Sequence, residues 1–461
     1  MVKKSNVALI EKYNIPVPRY TSYPPANYFE ETFSADDYLV AVEQSNNWEP
    51  EQVSLYFHIP FCRKMCFYCG CNSCPLPDEQ TTGDYFDALN KELQMVTGLI
   101  KNKRKVSQVH FGGGTPNSVP AGYLARLMET LYSKFSFSEF PEIAIECNPA
   151  YLDFTYLKQL IKAGFNRFSL GIQDFNEAVL SGVNRNSSQI PAKELVAFLR
   201  SGQKKVRVNL DFIYGLPGQT PDTFKETIQK AIDIRPDRLV TFSYAHVPWV
   251  NNVQKKLEEL GLPDSDEKRA MYLGASGLLA RNGYMAIGLD HFVVEDDELY
   301  RALQSGQLHR NFQGYCTRET TGQVYAFGVS AISQLQRVYA QNTKSAGEYI
   351  AAVAGGTVPV IKGYMLSDDE IIIREVITEL MCNKRVNLAE IAKRFGRGIS
   401  DIKETVAFKE EAMKQFEGDG IIEIAGEAIG ITAEGSLFVR NVAALFDPLM
   451  KGPVKRFSRP V

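Results

Sequence analysis

Five of the eight cysteines of this 461-residue chain fall in one stretch, Cys62-Arg-Lys-Met-Cys66-Phe-Tyr-Cys69-Gly-Cys71-Asn-Ser-Cys74. The first three are spaced Cys-x3-Cys-x2-Cys and follow directly on a run that reads as a strand, Val53–His58. Thiolates are the ligands that iron–sulfur clusters take, and most simple 4Fe–4S sites use four. A loop offering three leaves one iron open to an exogenous ligand, as a catalytic zinc site keeps one position free. A zinc site would pair two Cys-x2-Cys or Cys/His arms a dozen or more residues apart, and no second arm is visible. Disulfides suit neither the crowding nor a chain without signs of an oxidising compartment. The spacing therefore reads as a three-thiolate cluster loop.

Such a loop needs a scaffold, and the sequence supplies alternating strands and helices. Strands are expected at Val53–His58, Val106–Phe111, Ile143–Glu146, Arg167–Ile172, Val206–Ile213 and Leu239–Tyr244. Helical periodicity marks Asp84–Ile100, Ala121–Phe135, Phe154–Ala163, Pro191–Ser201 and Asp222–Ile234. Alternation of this kind predicts right-handed βαβ units on a parallel sheet, as a partial (β/α)6 barrel or an open doubly wound sheet. In both, functional groups gather at the C-terminal strand ends. Those ends carry the cysteine loop, Gly112-Gly113-Gly114-Thr115-Pro116, Glu146-Cys147-Asn148-Pro149, Gln173-Asp174, Asp211 ahead of Gly215-Leu216-Pro217, and Tyr244-Ala245-His246. The glycine run suits either a tight turn or close approach of a ligand to backbone. Single polar residues at strand ends are often caps; six in succession on one sheet edge ask for a function. Arg185 is suited to a carboxylate partner. His309-Arg310-Asn311-Phe312-Gln313-Gly314-Tyr315 reads as a polar loop able to meet a carboxylate-rich substrate or simply to face water.

The remainder sets limits. A net charge of −3 gives no global field for nucleic acid or anionic membrane. No apolar run is long enough to span a bilayer, and Met1–Ile10 lacks the pattern of an export signal, so a reducing cytoplasm is expected. Four regions are expected: an arm over 1–50, a barrel over 51–290, an extension over 291–360 and a mostly helical domain over 361–461. In the arm, Pro18-Arg19-Tyr20-Thr21-Ser22-Tyr23-Pro24-Pro25 should be extended, and composition favours a solvated tether. In the last region, helices at Asp369–Met381 and Leu388–Phe395 before Phe416–Ile424 and a hairpin through Ile429–Ile431 resemble a winged helix. Acidic residues interrupt any basic face there, so a packing module is expected rather than a nucleic-acid reader.

The cysteine spacing resembles that of radical S-adenosylmethionine (SAM) enzymes. More specifically, the chain resembles the oxygen-independent coproporphyrinogen III dehydrogenase (oxidase) family of haem biosynthesis. The likeness rests on Pro18–Pro24, Tyr56–Cys62, Gly112–Pro116, Gln173–Asn176, Asp211–Pro217, His309–Tyr315, Gly328–Ser333 and the further cysteine, Cys71. It implies an α/β partial (β/α)6 radical SAM barrel with an N-terminal arm and a winged-helix-like C-terminal domain. It implies one 4Fe–4S cluster on Cys62, Cys66 and Cys69, with Cys71 beside it as a catalytic residue. Two SAM molecules are implied, one at Tyr56, Gly113, Glu146, Ala245 and Ile332, the other at Tyr68, Gly114, Thr115, Gln173, Arg185 and Asp211. Cys74, Cys147 and Cys316 depart from the family pattern.

By the same resemblance the reduced cluster cleaves SAM, and a 5′-deoxyadenosyl radical takes a propionate β-hydrogen; loss of an electron and carbon dioxide leaves a vinyl group. Coproporphyrinogen III would become protoporphyrinogen IX, with Arg19 and Arg310 as candidate carboxylate anchors. The implied partner is a low-potential electron donor of flavodoxin or ferredoxin type, and the implied state a monomer. Two other readings are a haem-trafficking paralogue without decarboxylase activity and a DNA-binding iron–sulfur regulator.

Overall fold

The computed structural model describes residues 9, 11–101, 103–202, 205–249 and 251–451. The chain divides into two compact units. The larger comprises Glu30–Tyr300 and Thr320–Gly363; the smaller draws on Met1–Phe29, Arg301–Glu319 and Tyr364–Val461, as far as these are described.

In the larger unit six parallel strands lie side by side in chain order: β1 (Val53–Ile59), β2 (Val106–Gly113), β3 (Phe137–Cys147), β4 (Arg167–Gln173), β5 (Arg207–Tyr214) and β6 (Arg238–Ser243). Helices α1 (Glu79–Thr97), α2 (Ala121–Lys134), α3 (Phe154–Ala163), α4 (Ala192–Arg200) and α5 (Pro221–Ile234) make the crossovers. β1 is buried almost throughout, as a central parallel strand should be. β5 alternates instead: Val208, Leu210 and Phe212 enter the apolar core, while Asn209 and Asp211 take the other face. Rings of Phe57, Phe111 and Phe327 stack with centroids 4.8 and 5.2 Å apart. Truncating one of these to alanine costs about 3–5 kcal/mol.

The sheet does not end at six strands. Gln323–Phe327 pairs in parallel with β1 on its free side, Gln323 opposite Val53 and Phe327 opposite Phe57. Antiparallel Ile332–Gln334 and Val338–Asn342 extend that edge, and His291–Val294 and Tyr284–Ile287 extend the other. Residues expected as an extension over 291–360 are thus divided: 301–319 belong to the smaller unit, and the rest, in the larger unit, supply the added strands. Within the expected arm, Ala35–Gln44 is a helix with a Ser34/Asp37 capping box, and its Tyr38 hydroxyl lies 2.9 Å from Ser333 Oγ.

A charged layer floors the barrel at the N-terminal strand ends. Arg167 meets Glu142 at 2.5 Å and Glu298 at 2.8 Å; Arg238 binds Asp297 through two hydrogen bonds, 2.8 and 2.9 Å, and Glu298 at 2.6 Å.

In the smaller unit, helices Asp368–Asn383, Leu388–Phe395, Ile399–Thr405 and Glu410–Gly418 accompany the hairpin Ile422–Ala425/Ala428–Ile431, to which Arg385–Asn387 adds a third strand. The Pro18–Pro25 segment is irregular but is not a solvated tether. Tyr20 and Tyr23 are buried, Tyr20 donates to Asp447 at 2.9 Å, and Arg440 Nε donates to Pro18 O at 3.0 Å. Arg19 is exposed.

Candidate active site

The cysteine loop begins and ends on a two-residue parallel bridge, Phe61–Cys62 with Cys74–Pro75. Cys74 N donates to Pro60 O and Leu76 N to Cys62 O, both at 2.9 Å, so Cys74 sits at the closure of the loop. Neighbouring elements grip the rest. Thr115 N donates to Phe61 O (3.0 Å), Phe67 N to Val183 O (3.0 Å), Asn184 Nδ2 to Met65 O (2.8 Å), Asn251 Nδ2 to Cys69 O (2.8 Å) and Gln254 Nε2 to Tyr68 O (3.1 Å). His58 Nε2 lies 2.8 Å from Asn72 O.

All eight cysteines are free thiols. A hydrogen bond from the Cys71 thiol lowers the Cys69 pKa to about 6, whereas burial pushes Cys62 up to about 11. Cys62 Sγ lies 3.3 Å from Thr115 Oγ1, and Arg185 Nη1 donates to Cys66 Sγ at 3.6 Å.

The strand ends surround this loop. Gly113 has φ +114°, and a Cβ there would lie 2.6 Å from the His58 ring; at Gly114 it would lie 2.4 Å from Pro60 O and 3.1 Å from Cys62 Sγ; at Gly112, 2.7 Å from Glu146 Oε1. Close approach, not turn geometry alone, therefore demands the glycine run. Glu146 accepts from His110 Nε2 at 3.0 Å and from Gly113 N at 3.3 Å, and Tyr56 stacks on the His110 ring with centroids 5.8 Å apart. Tyr56 OH is 3.1 Å from His58 Nδ1. Arg185 bonds Tyr68 OH at 3.1 Å and donates to Gly171 O. Gln173 adopts φ +68°, and its buried Oε1 has no hydrogen-bond partner among the described residues. Asp211 accepts from Ser169 Oγ at 2.6 Å; burial, helped by the charge of Glu146, raises its pKa to about 6.

The anticipated residues thus fall into bonded groups: Tyr56, Gly113 and Glu146 in one, Tyr68, Arg185 and Cys66 in another, Gly114 and Thr115 against Cys62, and Asp211 on Ser169. Ala245 lies exposed beyond β6, and Ile332 is half-buried at the start of its short strand; neither bonds to these groups. Asp174 is a structural group, buried and accepting from Gln219, Thr227 and Asn176 N. The His309–Tyr315 stretch is a hairpin of the smaller unit, where the Arg310 guanidinium lies 5.1 Å from the Tyr315 ring centre.

Comparison with known proteins places this geometry. The Radical SAM superfamily pattern matches residues 56–231, and the HemN C-terminal domain pattern matches residues 366–438. The oxygen-independent coproporphyrinogen III oxidase of Synechocystis sp. is 39% identical, covering 98% of this chain and 97% of that protein. The protein of the same name from Escherichia coli is 38% identical over 99% and 98%. The chain belongs to the oxygen-independent coproporphyrinogen III oxidase family. The solved structure of the E. coli family member, coproporphyrinogen III oxidase HemN, described as a radical SAM enzyme, superimposes with a TM-score of 0.88 at 36% identity, covering 96% of this chain and 98% of that one.

Membership of the radical SAM superfamily implies a 4Fe–4S cluster and SAM, and the residues fit both. Three spaced thiols stand on a loop gripped from several sides, the glycine backbone leaves room beside Cys62, and Gln173 Oε1 has lone pairs to offer. Among the described residues no three Cys, His, Asp or Glu side chains already converge as a metal cage, so the fit rests on donor type, loop closure and the lowered Cys69 pKa. Sequence reasoning missed His58, His110, Asn72, Asn251 and Gln254. Strand parity carries a signal for the first two: Tyr56 and His58 share one face of β1, and His110 and Gly112 one face of β2.

Proposed function

We propose that this chain oxidises coproporphyrinogen III to protoporphyrinogen IX without dioxygen, as an oxidoreductase of haem biosynthesis. The observation that carries the reading is likeness over 98–99% of the chain to proteins named for that activity, together with the cysteine loop and strand-end groups assembled in the larger unit. Bound cluster and SAM would supply a 5′-deoxyadenosyl radical able to take a hydrogen from a propionate β-carbon.

The chain's own residues bind and orient. Cys62, Cys66 and Cys69 are the iron ligands, and Cys71 stands beside Cys69 as a catalytic residue. Two SAM molecules are held, one by Tyr56, Gly113, Glu146, Ala245 and Ile332, the other by Tyr68, Gly114, Thr115, Gln173, Arg185 and Asp211. Arg185, fixed by Tyr68 OH and Gly171 O, presents a fork suited to a carboxylate. Tyr56 and His110 stack beside Glu146 and keep its carboxylate oriented. The electron donor is a low-potential protein of flavodoxin or ferredoxin type, and the enzyme works as a cytoplasmic monomer. No helix among the described residues is long and apolar enough to cross a membrane. No observation favours the haem-trafficking alternative.

The test is an anaerobic incubation of reconstituted protein with dithionite, SAM and coproporphyrinogen III, read by mass spectrometry. Two successive losses of a formic-acid equivalent alongside 5′-deoxyadenosine are expected; SAM cleavage with the porphyrinogen untouched would overturn the reading.

A further inference from the structure

Glu92 lies on α1, 1% exposed, inside the apolar core of the larger unit. Such a group is costly to bury unless its oxygens are satisfied. Three donors satisfy it, each from a different element: Gly328 N at 2.9 Å and Tyr349 OH at 2.6 Å on Oε2, and Asn342 Nδ2 at 2.7 Å on Oε1. Asn342 Nδ2 also donates to Gly328 O at 2.9 Å. Because every partner is a donor, glutamine in place of glutamate would set an N–H against an N–H or O–H.

The segment held in this way is the turn between Gln323–Phe327 and Ile332–Gln334. Its shape is demanding: Gly328 has φ +97° and Ser330 φ +58°. A Cβ at Gly328 would fall 2.6 Å from His58 O and 2.7 Å from Tyr85 OH. Tyr85, also on α1, donates to His58 O at 2.7 Å and accepts from Val329 N at 3.1 Å. The turn is therefore fastened to the last residues of β1, where Tyr56 and His58 stand, through two side chains of one helix. That helix is the element that follows the cysteine loop, its N-cap being Asp78. A core-filling leucine at position 92 would pack, but it would take from Gly328 N its bond to Glu92 and leave Asn342 Nδ2 with Gly328 O alone.

We propose that Glu92 is a positioning residue for SAM: it fixes the Gly328–Ser330 turn, and with it Ile332, against the end of β1. The proposal rests on the radical SAM reading above in one respect, that Ile332 borders a SAM molecule. Glu92 touches neither iron nor cofactor and acts through the backbone it holds.

The test uses the full-length, cluster-reconstituted protein and the variants E92Q and Y349F. SAM affinity is measured anaerobically by equilibrium dialysis, with iron and sulfide content and the thermal midpoint measured on the same samples. E92Q should bind SAM roughly tenfold more weakly, the size of one buried donor left unsatisfied, with cluster content unchanged. Y349F, which removes one donor and leaves the carboxylate in place, should move the same way by a smaller factor. Folded variants with full cluster content and SAM affinity within twofold of the parent would overturn the proposal and leave Glu92 a merely structural group. Parent protein that assembles a cluster but binds no SAM would overturn the underlying reading instead.

Discussion

The two ends of the barrel are built to opposite rules. At the N-terminal floor, charge is paired completely: Arg238 forks onto Asp297, Arg167 bridges Glu142 and Glu298, and Arg200 and Arg207 both bind Asp237. Burial opposes the charge on Asp237, but hydrogen bonds from Arg207, Val208 N and Arg200 outweigh it and hold its pKa below the usual carboxylate range. At the C-terminal edge, Gln173 carries a left-handed φ and an unpartnered oxygen, Gly113 admits no side chain, and Asp211 is held above its usual range. One end spends its polar groups on holding the fold; the other leaves them strained, half-exposed or unsatisfied, as a site that must receive a ligand requires.

The contrast can be broken most forcefully at the floor. Replacing Asp297 by asparagine removes the buried carboxylate onto which Arg238 forks, leaves Glu298 as that guanidinium's remaining bonded carboxylate, and should cost about 3 kcal/mol of unfolding free energy. Denaturant titration measures this, while SAM affinity of the remaining folded protein stays near that of the parent. The converse change is Gly113→Ala. It meets the His58 ring and a positive φ, a strain of about 1–3 kcal/mol that should lower the unfolding free energy less than D297N does, while the displaced backbone beside Glu146 should, unlike the floor change, also weaken SAM binding, roughly tenfold.

The smallest effect sharpens the contrast through pH. A carboxyl held above its ordinary pKa stabilises the fold at low pH and loses that contribution as pH rises; one held below does the reverse. Asp211, raised from 3.8 to about 6, should therefore favour folding below pH 4 and lose that contribution as the pH rises through 6. Asp237 should lose its contribution as the pH falls below 4. Relative to the parent, the denaturation midpoint of D211N should rise from pH 4 to 7, whereas that of D237N should lie below the parent's throughout that range and approach it only as the pH falls below 4.

Much of this architecture was legible in the sequence because central parallel strands are apolar on both faces and helices between them repeat with a different period. The six strands were found near their observed places. β3 was read too short, since Pro141 and the charges of Glu139 and Glu142 hide its first half. α1 begins at Glu79 rather than Asp84 because Asp78 caps it, accepting from Thr81 N, and Gly83 in its first turns dilutes the periodicity. The parallel pairing of Gln323–Phe327 with β1 is non-local, and no local pattern records which sheet edge a strand will join. The helix Ala35–Gln44 is short, and its signal is little more than the Ser34/Asp37 capping box behind a proline-rich stretch. At the site, the cysteine spacing and the glycine run announced themselves, whereas Asn251 and Gln254 meet the loop, and Asn72 within it meets His58, only through folding. Pro18–Pro25 misled: its tyrosines are buried by partners more than four hundred residues away in sequence, as with Tyr20 and Asp447.

The most direct test of the account is the iron and sulfide content of anaerobically reconstituted protein, with electron paramagnetic resonance of the reduced cluster before and after SAM, in the parent and in C62A, C66A, C69A and C74A. The account predicts about four irons and four sulfides per chain in the parent and in C74A, loss of the cluster in the other three, and a shift of the signal when SAM fills the open corner. A cluster that survives C62A, disappears in C74A, or gives a parent spectrum indifferent to SAM would contradict it.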